Sequence, residues 1–144
     1  MNKPDNPALC DFLNALLEAE RAGARAATEF RREYAGGPAG ALIEQVRHDE
    51  AWCCGMLSGW VTRLQGAPSL ITGSFLEKVL AKQGLEARLE FLNRGQDWVV
   101  RQLEAMIPKL DDGDLRTDLA HMLDLHVRNI GECAAFLERS KGAG

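Results

Sequence analysis

Four long stretches of this chain repeat apolar residues at alternating steps of three and four, the spacing that gathers them on one face of a helix. The first stripe is Leu9, Leu13, Leu16, Glu20, Gly23, Ala27, Phe30, Tyr34, and the second is Ile43, Val46, Glu50, Cys53, Leu57, Trp60, Leu64. The third is Leu85, Leu89, Leu92, Gln96, Val99, Leu103, Met106, and the fourth is Leu115, Leu119, Met122, His126, Asn129, Cys133, Phe136. Prolines and glycines bound the stretches. The first helix is predicted over about 7–34, with Asn6 as N-cap and Pro7 at the first helical position, and it stops at Gly36-Gly37-Pro38. The second, about 39–64, stops at Gly66-Ala67-Pro68, and the third, about 85–107, lies between Gly84 and Pro108. The fourth, about 114–139, follows Asp111-Asp112-Gly113-Asp114, whose acids suit a helix N-terminus, and the terminal SKGAG is expected to fray.

Some twenty residues separate the second and third stretches, too many for a tight turn, and Ser74-Phe-Leu-Glu77 has the capping-box pattern. A short helix over about 74–83 is therefore predicted inside a link long enough to cross the length of a bundle. The other two links are short and predict antiparallel hairpins. The expected fold is all-α: one domain over 1–144, an antiparallel four-helix bundle with a long crossover, carrying a short helix, between helices two and three.

Each stripe turns polar near its centre, at Glu20, at Glu50 with Cys53, at Gln96, and at His126 with Asn129. A buried carboxylate must be paired, protonated or metal-bound, so Glu20 and Glu50 need partners from this layer or from a cation. Neighbouring ionisable residues fall elsewhere. Glu18 and His48 face outward, Glu86 and Glu90 lie off the third stripe, and His121 falls about 110° off the fourth. Asp118 and His121 have the spacing of a metal-binding pair but stand at least a turn from the layer. Arg21, Arg25, Arg31, Arg32 and Glu18 are expected to form a solvated charged face. Phe91 and Trp98 share a face of the third helix, expected to pack under Leu70, Ile71, Phe75 and Val79 or to form a dimer contact. Gly23, on the first stripe, suggests close helix approach near Glu20 or room for a ligand.

Composition narrows the classes. The chain has 144 residues, 46% hydrophobic and 26% charged, which is ordinary for a folded domain. A formal net charge of −4 gives no electrostatic reason to expect nucleic acid or an anionic membrane as partner. No stretch approaches the roughly 20 apolar residues of a membrane span, and MNKPDNPALCDF lacks the pattern of a signal peptide. With Cys10, Cys53, Cys54 and Cys133 as its four cysteines, the chain is expected to be cytoplasmic, with reduced thiols. Cys53 and Cys54 diverge by about 100° on a helix, so they read as buried thiols rather than as a redox pair.

The strings Leu16-Leu-Glu-Ala-Glu20-Arg-Ala-Gly, His48-Asp-Glu50-Ala-Trp-Cys53, Leu92-Asn-Arg-Gly-Gln96-Asp-Trp and Met122-Leu-Asp-Leu-His126-Val-Arg-Asn129-Ile are similar to those of the ferritin-like superfamily, in particular a group of bacterial members of unassigned activity. The resemblance spans roughly residues 10–135. It implies a di-iron layout with a Glu from each of two helices and a Glu-x-x-His from each of the other two. Glu20 matches the first Glu and Glu50 the Glu of the second-helix motif. Cys53 stands in place of a His, Gln96 in place of a Glu, and His126-Val-Arg-Asn129 in place of Glu-x-x-His. Too few carboxylates remain to neutralise an iron pair, so a di-iron oxidase or ferroxidase is not expected. Two readings stay open. In the first, a metal-free network of Glu20, Glu50, His126, Gln96 and Asn129 fixes the register of a non-catalytic or accessory protein, working as a homodimer or through binding. In the second, Glu20, Glu50 and His126, with Cys53 or Gln96 nearby, hold one iron, zinc or manganese ion in a metal-binding protein or oxidoreductase.

Overall fold

The computed structural model describes residues 3–143, and among these the chain is all-helical with no strand. The helices are α1 (Asn6–Tyr34), α2 (Gly40–Arg63), the short α3 (Phe75–Leu80), α4 (Leu85–Met106) and α5 (Asp114–Ala143), with a 3-10 turn at Ile107–Lys109 after α4. None of them is long and apolar enough to cross a membrane.

The ends follow local chemistry and depart from expectation in three places. Asp5, not Asn6, caps α1, accepting from the Ala8 N–H at 2.8 Å, because the chain turns helical one residue earlier. Two crossed backbone bonds close α2, Gly66 N–H to Val61 O at 2.9 Å and Gln65 N–H to Thr62 O at 3.0 Å. Gln65 takes the left-handed conformation (φ 70°) in that motif. Gly66 serves close approach, since a Cβ there would lie 2.7 Å from Cys10 Sγ. Ser74 precedes α3 but makes no side-chain cap bond, and the helix covers only Phe75–Leu80. At the far end α5 continues through SKGA instead of fraying after Arg139, with Gly144 outside the described residues.

Helix α1 packs on α2 and α4 on α5, while α2 also meets α5, α1 meets α4, and α3 lies against α1 and α4. Two apolar clusters form the core. One joins Leu13 and Leu17 of α1 with Leu57 and Val61 of α2, Val99 and Leu103 of α4, and Leu119 and Met122 of α5. The other joins Ala26 and Phe30 with Ile43 and Val46, Leu89 and Leu92, and Cys133 and Phe136. Every long helix contributes one half to each cluster, and the polar stripe positions fall between the two.

The link from Ala67 to Ser74 is tied to α1 by side chains spaced three and four apart. Asn14 bonds both ways with it, to Ala67 O at 3.0 Å and from Ser69 N–H at 2.8 Å. Glu18 accepts from the Ser69 hydroxyl at 2.7 Å, Arg21 donates to Ile71 O and Ser69 O, and Arg25 donates to the Thr72 hydroxyl. Glu18 and Arg21 are therefore half-buried under the link, where Arg21 satisfies two carbonyls that an irregular segment leaves open, while Arg25 stays exposed. Arg31 and Arg32 do stay at the surface, beside Glu44 and Glu29. Phe75 stacks on Phe91 with ring centroids 5.2 Å apart, but Leu70 and Ile71 remain exposed and do not cover Trp98.

Candidate metal centre

Between the apolar clusters, α1 supplies Glu20, α2 supplies Glu50 and Cys53, α4 supplies Gln96 and α5 supplies His126, all of them buried. Donor atoms of Glu20, Cys53 and His126 all lie within 4.8 Å of one another. Imidazole Nδ1 of His126 sits 2.9 Å from the Met122 carbonyl one turn back. A carbonyl can only accept, so Nδ1 carries a proton and the opposite nitrogen, Nε2, is turned inward. That Nε2 is 2.7 Å from Oε1 of Glu20, yet neither atom has a partner in hydrogen-bonding orientation. The contact is close without being aligned.

Burial dominates the electrostatics. It raises the Glu20 carboxyl to about 7, against the pull of hydrogen bonds from Glu50 and Cys53. Glu50 is driven well above the usual carboxylate range, first by burial and then by the Glu20 charge and its hydrogen bond to Glu20, with His126 opposing. Two carboxyls so placed do not both ionise in a dry core. Burial and both glutamates push the Cys53 thiol far up, and the same causes bring Cys54 to about 12. All four cysteines are free thiols. Neither Cys53 nor Cys54 is activated as a nucleophile.

The layer contains room made by design of the backbone. A Cβ on Gly23 would lie 2.9 Å from Glu50 Oε2 and 3.0 Å from its Cδ, so the missing side chain seats the Glu50 carboxyl against α1. Gln96 has neither its carboxamide oxygen nor its nitrogen bonded. Among the described residues six buried side-chain atoms have no partner, and five of them belong to Glu20, Glu50, Gln96 and His126.

Asn129 does not join this group. Its amide donates to Asp49 Oδ2 at 3.0 Å and its oxygen accepts from Gln45 at 2.8 Å, while Arg128 donates to the same Asp49 oxygen at 2.8 Å. Asp49 is buried and was not expected to be. The signal was present, because Val46, Asp49, Cys53 keeps the three-four spacing as well as Val46, Glu50, Cys53 does. Both residues point inward, on either side of the stripe. Asp118 and His121 are separately occupied: Asp118 accepts from Trp60 Nε1 at 2.8 Å, and His121 meets the Trp52 ring edge-on at 4.9 Å. His48 is exposed, as its position off the stripe requires.

A family model described as a domain of unknown function (DUF6306) matches residues 8–135, and the chain belongs to that family. The matched span includes every residue of the buried layer. No curated protein and no solved structure matches the chain.

Proposed function

We propose that this protein is a ferritin-like antiparallel four-helix bundle that binds a single divalent metal ion through Glu20, Cys53 and His126, with Glu50 beside them. The bundle reading is supported by the two clusters. The start of α1 shares a cluster with the end of α2, and the start of α4 shares one with the end of α5, as antiparallel pairs require. The link that climbs α1 from Asn14 to Arg25 supports a crossover running the length of the bundle.

The observation that carries the metal reading is the unmatched contact of Glu20 Oε1 with His126 Nε2, both buried and unbonded, beside a third donor in Cys53. Buried polar atoms left in this state cost about 1–3 kcal/mol each, and a cation between Glu20 Oε1 and His126 Nε2 answers both at once. The Met122 carbonyl orients the imidazole as outer partners do for metal-bound histidines. One carboxylate and one thiolate balance a divalent charge, so Glu50 need not ionise. Nitrogen, sulfur and oxygen donors together favour zinc or ferrous iron over magnesium or calcium. An iron pair does not fit, because Gln96 and Asn129 stand where charged or imidazole ligands are required and Asn129 is already bonded to Asp49.

Elemental analysis of protein purified without chelator is expected to find about one equivalent of metal. Zinc returned to stripped protein at 100 times its Kd adds about 2.7 kcal/mol and raises Tm by several degrees. Cys53→Ala and His126→Ala abolish both effects. A stripped protein whose Tm is unmoved by zinc, ferrous iron and manganese overturns the reading and leaves the proton-sharing Glu20–Glu50 pair as a metal-free register device for an accessory protein.

A further inference from the structure

A cavity of about 240 Å³ runs from the surface beside α3 down to the polar layer. Its walls are Leu92, Val99 and Ala19, the rim carries Phe75 and Trp98, and its floor is Gln96 with the carboxyls of Glu20 and Glu50. Two glycines inside helices shape it. Gly23 lets Glu50 sit back against α1, and Gly95 lets Phe75 approach α4, where a Cβ would meet the ring at 2.7 Å. Trp98 is 41% exposed, so the space communicates with solvent. Cys53 and His126 do not line it.

An apolar cavity of about 150 Å³ is enough to hold benzene, so this one has room for a ring and a head group. Gln96 decides the head. It is 3% exposed, with one donor and one acceptor side by side and both unbonded. In a low-dielectric wall such a pair is best answered by a group presenting an acceptor and a donor in the same spacing. A carboxylate there would face two glutamates, and an ammonium would lose its hydration with no oriented set of acceptors to replace it.

We propose that this cavity is a binding site for a small neutral molecule with an apolar, ring-sized body and a primary-carboxamide head, seated body-outward with the head paired to Gln96. The site shares Glu20 with the proposed ion but not Cys53 or His126, and it requires no metal.

Ligand-observed NMR and calorimetry on chelator-stripped protein test it, with benzamide, benzoate, benzylamine and toluene as probes. Benzamide is expected to bind at least about tenfold more tightly than each of the other three, as one matched buried hydrogen-bond pair implies. Gln96→Leu keeps the volume and removes the pair. It should cut benzamide affinity about tenfold and leave toluene unchanged, while Ala19→Phe should block all four. Trp98 fluorescence, read in a Trp52→Phe, Trp60→Phe background, should respond to benzamide. Equal affinities across the probes, tighter benzylamine, a Gln96→Leu protein that binds benzamide as the wild type does, or no binding at all would each overturn the proposal. Because the protein is stripped, failure here leaves the metal reading intact, and failure to bind zinc leaves this one intact.

Discussion

Two buried polar groups lie within a turn of each other, one around Asp49 and one around Glu20 and Glu50, and they are built on opposite principles. Asp49 is matched by a guanidinium from Arg128 and an amide from Asn129, and Asn129 is in turn held by Gln45, which also donates to Glu132. None of the side-chain atoms of Asp49, Gln45 or Asn129 is among the unpartnered ones. In the second group Glu20, Glu50, Gln96 and His126 all leave atoms unbonded at comparable burial. Polarity inside a core thus does not mark a site by itself. A closed network fastens α2 to α5, whereas the open one leaves its buried atoms unmatched.

The comparison breaks most clearly at Asp49. Asp49→Ala strands the Asn129 amide and frees Arg128, and is expected to cost about 2–3 kcal/mol in urea denaturation, with metal content unchanged. A loss below about 0.5 kcal/mol would mean that the closed network contributes little. A smaller effect is expected from pH. In stripped protein Glu20 and Glu50 hold protons that the unfolded chain releases above the ordinary glutamate value of 4.5. Stability should therefore be greatest below that value and fall as pH rises through about 7. Glu50→Gln, which cannot ionise, should flatten the fall in thermal melts between these limits. A profile that instead rises with pH would show the pair ionised in the fold. The smallest effect carries the opposite sign: Gln96→Leu removes two unmatched polar atoms and should be neutral or stabilising by up to about 1 kcal/mol. An equivalent loss in chemical denaturation would place Gln96 with the closed group.

Periodicity carried much of this to the level of the primary sequence. The four stripes put Glu20, Glu50, Cys53, Gln96 and His126 inward because a helix turns through a fixed angle per residue, whatever surrounds it. The same rule placed His48 and His121 outside the layer. It could not choose between Asp49 and Glu50, since both satisfy the spacing, and it grouped Asn129 with His126 although the two face different neighbours. Glu18 and Arg21 on α1 look solvated for a related reason, until an irregular segment with open carbonyls and a serine hydroxyl is laid across them.

By itself, then, the sequence determined the helices and the depth of the polar layer, since those depend on bonds and steric preferences along one chain. Which polar residue meets which was decided only in the tertiary structure. The roll of each helix against its neighbours is set by packing across four chains of side groups at once, and a shift of one position there turns a matched Asp49 or an unmatched Gln96 into the other kind of residue.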